Sequence, residues 1–185
     1  MDNSEKSSLR KVLLEKRDST SEDLMKIASK QVHRNLKKIS EFRLAKSIGI
    51  YYPIGSEVPT QDIMQDAISN GKEIFLPKVI GEDLEFRKIK SFDDLEKGNF
   101  DIMEPKDDCP ASDKFDVMLV PTVGISRDGF RLGYGYGYYD RFLSKRNVVT
   151  IALTYAKQVV KSVPSSEEDV RIDWVVTEDE LFKTS

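Results

Sequence analysis

Short apolar runs set apart by helical patterns constrain this chain more than any other feature. Residues 47–52 (SIGIYY), 73–76, 117–120 and 148–153 are rich in Ile, Val, Leu and aromatics, and Pro53, Pro77 and Pro121 follow the first three. A strand that is apolar on both of its alternating faces must be covered on both faces, as in a parallel sheet between helical layers. The expected fold is therefore a single α/β domain over residues 1–185. It has a mainly parallel sheet with helices on both faces, a three-layer sandwich. Residues 84–89 alternate weakly and give a further candidate strand, and residues 174–176 a last one. In open sheets of this kind ligands bind at the carboxyl ends of the strands, so the three proline-marked ends should line one rim.

Between the runs lie helix patterns. Residues 6–16 carry Leu9, Val12 and Leu13 at helical spacing. Residues 19–23 (STSED) read as a helix start, because hydroxyls there satisfy free backbone N–H groups. Leu24, Ile27, Ala28, Val32, Leu36 and Ile39 then form the stripe of a second helix. Ile63, Met64, Ala67 and Ile68 mark a third, stopped by Asn70 and Gly71. Residues 138–144 form a short helix entered from a glycine loop.

The chain is 39% hydrophobic and 33% charged, enough apolar material for a core without disulfides. The single cysteine, Cys109, excludes an intramolecular disulfide and a Cys-rich zinc site, and points to a reducing compartment. No apolar leader or span of bilayer length is present, so a cytoplasmic protein with no membrane partner is expected. A net charge of −3 argues against a general polyanion binder, and no nucleic-acid partner is expected. Basic residues do gather in the first forty-five or so positions, as on a solvated helix face.

The segment richest in chemistry is residues 131–140, RLGYGYGYYD. Gly133, Gly135 and Gly137 allow backbone conformations closed to other residues and remove the Cβ atoms that would keep a phosphate off the main chain. Successive N–H groups can then form an anion nest, with the next helix adding its dipole. Arg131 can offer a fork of donors to a phosphate. The pattern is neither a P-loop nor the dinucleotide fingerprint. On these residues alone, a Gly/Tyr-rich surface turn is an equally good reading.

Residues 128–140 (DGFRLGYGYGYYD) closely resemble the signature of the 5-formyltetrahydrofolate cyclo-ligase family. The resemblance runs along nearly the whole chain. Lys6-x-x-x-Arg10 is similar to the family's nucleotide-binding pair, and residues 52–60 (YPIGSEVPT) to the segment holding its folate-binding glutamate, here Glu57. Residues 75–78, Glu104-Pro105, and 152–157, 163–164 and 170–173 also match comparable runs. Two features depart from it. Tyr134 and Tyr136 stand where relatives carry basic or small residues, which shifts the work of holding phosphate to backbone N–H groups and Arg131. The C-terminal segment lacks the histidine that many bacterial relatives carry before their aspartate, and Glu168-Asp169 stands nearby instead.

The resemblance implies ATP-dependent cyclisation of 5-formyltetrahydrofolate to 5,10-methenyltetrahydrofolate through a phosphorylated formyl intermediate. A catalytically weak or inactive nucleotide-binding member of the same fold is the alternative. It also implies ATP and Mg2+ as cofactors, small-molecule partners, and a monomer or weak dimer. Arg131 and Tyr139 are the expected catalytic residues. Lys6, Arg10, Arg131, Gly133, Tyr134, Gly135, Tyr136, Gly137, Tyr138 and Tyr139 are expected around the nucleotide. Tyr52, Glu57, Phe100 and Tyr138 are expected around the folate, and Asp140 and Asp173 at the metal. Read without the resemblance, Lys6 and Arg10 serve solubility more readily than phosphate, and Glu57 is an ordinary loop acid. Arg17 returns to the stripe of Lys6 and Arg10 and is assigned to the solvated surface. His33 and Cys109 are given no role.

Overall fold

The computed structural model of the chain describes residues 3–98 and 101–185. Five strands run parallel: β1 (Ser47–Gly49), β2 (Glu73–Ile80), β6 (Val117–Pro121), β9 (Val149–Leu153) and β11 (Trp174–Val176). Antiparallel edges are added by β3 (Asp83–Ile89) and β12 (Leu181–Lys183). Across the sheet the order is β12-β11-β9-β6-β1-β2-β3. Chain order reverses at β1, which has β2 on one side and β6 on the other. In an open α/β sheet the crevice beyond the carboxyl ends at such a switch is where a ligand fits.

Alternate side chains of the strands divide into two cores, as the unbroken apolar runs require. On one face Ile48, Ile50, Ile74, Leu76, Leu119 and Ile151 pack beneath α2 (Glu22–Leu36), α3 (Ser40–Leu44) and α4 (Gln61–Ser69). On the other, Met118, Val120, Ala152 and Val175 meet Phe142 and Leu143 of α5 (Tyr138–Leu143). Phe86 lies 4.7 Å from Phe142 and 5.2 Å from Phe115, ring centre to ring centre. Burying a ring of this kind stabilises by about 2–3 kcal/mol. Helices on both faces of a mostly parallel sheet make the three-layer arrangement expected from the runs.

Three local expectations are corrected. Pro77 lies inside β2, opposite Phe86, and does not end it. The carbonyl of Phe75 accepts from Ile50 N on the β1 side at 2.9 Å, so residue 77 faces the same way. The β1 ladder has already stopped at Gly49, so the missing proline N–H breaks no ladder bond there. In α2, Leu24 and Ile27 are 60% and 66% exposed, and the buried face is Ser29, Val32, Asn35 and Leu36. The two polar members are matched by partners, since Ser29 Oγ lies 3.1 Å from Tyr155 Oη and Asn35 Nδ2 donates to Thr177 O at 2.8 Å. Of the apolar stripe of α1 (Asn3–Asp18), Val12 is exposed, Leu9 is half-buried and only Leu13 is buried.

Local signals elsewhere act as read. Ser21 caps α2, and Asn70 and Gly71 end α4. The α3 helix was not legible as such. It is only five residues long, and Lys72 Nζ satisfies its last carbonyls, donating to Phe42 O, Arg43 O and Ala45 O. Also unread were the hairpin of β4 (Leu95–Lys97) with β5 (Met103–Pro105) and a small sheet of β7 (Gly124–Ser126), β8 (Arg131–Leu132) and β10 (Val159–Val160).

Candidate functional site

The small sheet fixes one wall of the site. Leu13 of α1 enters a cluster with Val123, Leu132 and Val163, and fits because Gly124 has no side chain, where a Cβ would lie 2.4 Å from Leu13 Cδ1. This contact sets the rotation of α1. Lys6, Arg10 and Arg17 share the Leu13 stripe at helical spacing and are turned toward the glycine loop. Arg10 Nε donates to Gly133 O at 2.7 Å, and Arg17 Nη2 donates to the Tyr134 hydroxyl at 2.9 Å. Lys6 Nζ pairs with Asp169 Oδ2 at 2.6 Å.

The loop itself follows β8. Gly135 has φ +104 and Gly137, at the start of α5, φ +69, both in territory that favours glycine. Among the described residues, no acceptor engages the backbone N–H groups of residues 133–137. These donors, with the first turn of α5 and the Arg10 guanidinium, make the loop receptive to an anion. A Cβ on Gly135 would stand 3.3 Å from Arg10 Nη2, so a side chain would crowd the space between loop and cation.

Arg131 is buried, and its side chain works behind the loop. Nη1 donates to Pro121 O at 3.2 Å and Nη2 to Asp140 Oδ2 at 2.9 Å. Its guanidinium lies 5.4 Å from the centre of the Tyr139 ring, and Nε is buried without a partner. Arg131 thus ties the loop to the carboxyl end of β6 and does not project a free fork. Burial holds the Tyr139 phenol far above its ordinary range, and the nearby Glu57 carboxylate adds to the effect.

Across the switch, the chain leaving β1 turns inward at residues 54–57. Glu57 is 5% exposed. Oε2 accepts from Ile54 N at 2.8 Å, whereas Oε1 has no partner. Burial pushes this carboxyl from its ordinary 4.5 up to about 7, against the Ile54 N–H, the Arg17 charge, the Tyr134 hydroxyl and the Arg131 charge, which favour the ionised form. A buried acceptor without a donor is costly in an isolated protein and is a mark of a ligand site.

Arg17 overturns its assignment to the solvated surface. It is 3% exposed, with Nε on Ser56 Oγ at 2.7 Å. Sequence spacing gave its direction. Its burial depends on residues 54–57 folding over it, which spacing does not record.

The expected site residues are sorted as follows. Lys6, Arg10, Arg131, Gly133, Tyr134, Gly135, Gly137, Tyr139 and Asp140 come together around the loop, with Glu57 facing them. Tyr136 is 62% exposed and stacks on Tyr138 at 5.7 Å, with Arg141 over the Tyr138 ring. Tyr52 is half-buried against the main core. Phe100 lies outside the described residues. Asp173 is engaged elsewhere: its Oδ2 accepts from Thr150 N at 2.8 Å and Thr150 Oγ1 at 2.9 Å, at the amino-terminal start of β11. A neighbouring carboxylate takes its place near the loop. Asp140 Oδ1 accepts from Val170 N at 3.2 Å, which brings Asp169 beside the Lys6–Asp140 corner. The only signal for Asp169 in the sequence was its position in the Glu-Glu-Asp run.

Fold and site together define an open-sheet α/β enzyme with a glycine loop opposite a buried carboxylate. Its family is shown by comparison with known proteins. The 5-formyltetrahydrofolate cyclo-ligase family model matches residues 2–178, and the chain belongs to that family. A probable 5-formyltetrahydrofolate cyclo-ligase of Caenorhabditis elegans is 28% identical, over 95% of this chain and 97% of its own length. The mouse 5-formyltetrahydrofolate cyclo-ligase is 29% identical over 76% of this chain and 77% of its own. Among solved structures, the 5,10-methenyltetrahydrofolate synthetase of Aquifex aeolicus superposes with a TM-score of 0.86 at 35% identity, covering 96% of this chain and 92% of its own. That of Mycoplasma pneumoniae gives 0.77 at 25% identity, covering 96% and 99%.

Proposed function

We propose that this enzyme closes 5-formyltetrahydrofolate to 5,10-methenyltetrahydrofolate with conversion of ATP to ADP and phosphate. The observation that carries the reading is the pairing of an anion-receptive glycine loop with a buried, half-partnered carboxylate across the switch point of the sheet. A formamide oxygen is a poor leaving group. In the proposed reaction it attacks the γ-phosphorus of ATP, ADP departs, and the oxygen carries the phosphoryl group. The N10 amine then attacks the formyl carbon, phosphate leaves with that oxygen, and N10 loses its proton as the ring closes. Such chemistry asks a protein mainly for positioning and charge neutralisation.

The residues fit those tasks. Backbone N–H groups of residues 133–137, Arg10 and Lys6 would take the triphosphate. Arg131 would hold the loop in shape and supply positive charge from behind, and the Tyr139 phenol, kept protonated by burial, would remain a donor throughout. Glu57 would accept from the 2-amino-pyrimidinone edge of the pterin, and Tyr52 would offer it a ring face; the Tyr138 ring, already against Tyr136 and Arg141, would have to shed a neighbour to do the same. Asp140 and Asp169, in place of Asp173, suit Mg2+. That ion takes one or two carboxylates and completes its octahedron with phosphate oxygens and water. No cluster of three or more Asp, Glu, His or Cys side chains suited to a metal occurs among the described residues. Mg2+ would neutralise charge on the transferring phosphoryl group.

The reading includes small-molecule partners, a monomer or weak dimer, and a cytoplasmic setting. Among the described residues no helix is long and apolar enough to cross a membrane. The test is direct. With MgATP and (6S)-5-formyltetrahydrofolate, methenyl absorbance should rise in step with ADP, and omission of ATP should abolish it. Folded protein that binds ATP but gives no such rise would sink this reading and leave a nucleotide-binding member without turnover.

A further inference from the structure

Arg17 joins the two halves of the site through a single guanidinium. Its Nη2 donates to the hydroxyl of Tyr134 in the glycine loop, 117 positions away in sequence, at 2.9 Å. Its Nε donates to Ser56 Oγ, in the segment that presents Glu57, at 2.7 Å. The Ser56 hydroxyl is held in turn by Asp18, whose Oδ1 also lies 3.8 Å from Arg17 Nε. The third nitrogen, Nη1, is buried with no partner, as is Glu57 Oε1. An arginine is almost never this buried unless paired, and an orphaned donor on a buried cation is costly. Stability alone does not account for the placement.

The Tyr134 hydroxyl, held by Arg17, also lies beside the Glu57 carboxyl, so the guanidinium sits at the point where the two segments meet. Arg10 reaches the loop only at Gly133 O, and Arg131 ties it to β6. Tyr134 is 36% exposed, so its ring can follow the loop while its hydroxyl stays on Arg17. A movement of the loop onto an anion would pull on the same planar group that fixes Ser56 and biases Glu57. Arginine suits this task because its fork holds two acceptors at a fixed angle, whereas lysine offers a single point of attachment.

We propose that Arg17 is a positioning residue that couples nucleotide binding to folate binding, with Tyr134 as its contact in the glycine loop. The inference rests on the proposed function, since it takes the loop as the nucleotide site and the Glu57 segment as the folate site. Each substrate then preorganises the site of the other. Coupling of this kind is reciprocal and amounts to about tenfold in affinity, within the usual range of 5–150-fold.

The experiment is calorimetric titration with a non-hydrolysable ATP analogue plus Mg2+, with and without saturating 5-formyltetrahydrofolate, on the wild-type protein, Arg17→Lys and Tyr134→Phe. The wild type should bind the analogue about tenfold more tightly when folate is present. In each variant the two Kd values should agree within about twofold, because one arm of the tie is cut. The ratio is internal to each variant, so a general loosening of the fold would not imitate the result. Tyr134→Phe, at a half-exposed loop position, serves where Arg17→Lys fails to fold. Wild-type protein that binds both ligands without mutual effect would overturn the coupling and leave the proposed function standing. So would variants that keep the wild-type ratio. Wild-type protein that binds neither ligand would overturn both.

Discussion

At the residue scale, Glu57 is a buried carboxyl whose burial outweighs the groups that favour its charge. Its folded value of about 7 stands above its ordinary 4.5 because burial disfavours the charge more strongly than Ile54 N–H, Arg17, Tyr134 and Arg131 favour it. The folded state therefore holds this proton more tightly than the unfolded chain does. The stabilising contribution is fully present below about pH 4.5 and is lost as pH rises through about 7. Over that span the loss is on the order of 3 kcal/mol. Glu57→Gln should therefore be the more stable protein at pH 8 by roughly that amount. The advantage should vanish near pH 4.5, as read from urea midpoints at both pH values. A flat difference would mean that the carboxyl is solvated. Ligand donors on Oε1 would lower the value, so folate binding at pH 6 should release a proton. Titration in buffers of different ionisation enthalpy would detect it.

Little of this was legible at the same scale. Motif resemblance brought Glu57, Lys6 and Arg10 forward, and spacing put Arg17 on their stripe. Sequence patterns do not carry depth. Arg17 was assigned to solvent because a cation on an amphipathic helix usually lies there, and only the turn at residues 54–57 covers it. Asp173 was misplaced because an aspartate near the C-terminal segment looks the same whether it caps Thr150 or faces the loop.

At the element scale, the proposed nucleotide loop depends on two positive-φ residues, Gly135 and Gly137. Gly135→Ala should cost about 1–2 kcal/mol of stability from backbone strain alone. It should also raise the KM for ATP by about tenfold or more, since the new Cβ stands beside Arg10 where an anion would sit. Gly71→Ala, at φ +73 with nothing within 4 Å, is the control. It should lose comparable stability with no change in KM. Equal kinetic effects at both positions would remove the loop from the nucleotide site. Elements with strong periodicity or continuous apolar runs were legible, as were the caps at Ser21 and Asn70. The two-residue strands β8 and β10 were not, because their pairing is set by tertiary contact and not by pattern.

At the scale of the whole molecule, the sheet is polarised. Glu57, Tyr134 and Arg131 gather beyond its carboxyl ends, while Asp116 and Asp173 tie off the amino ends through Lys46 N, Ser47 N and Thr150. Hydrogen exchange with nucleotide analogue and folate together should slow amides of residues 51–57 and 133–139 by about tenfold or more and leave residues 113–117 and 146–149 unchanged. Protection at the amino-terminal rim would place the ligands on the wrong end. The three-layer class was readable because the apolar runs leave few alternatives. The order of the strands, and hence the switch point, was not, since neither periodicity nor proline position encodes which run lies next to which.

The ion pair of Lys6 with Asp169 joins positions 163 apart in sequence. During synthesis the first helix emerges long before the loop and the carboxylate it must meet. The cationic wall therefore waits, its partner still unmade, until the segment carrying Asp169 leaves the ribosome. A half-made chain can pair several strands of its sheet and still lack the loop and the carboxylate of the proposed nucleotide site.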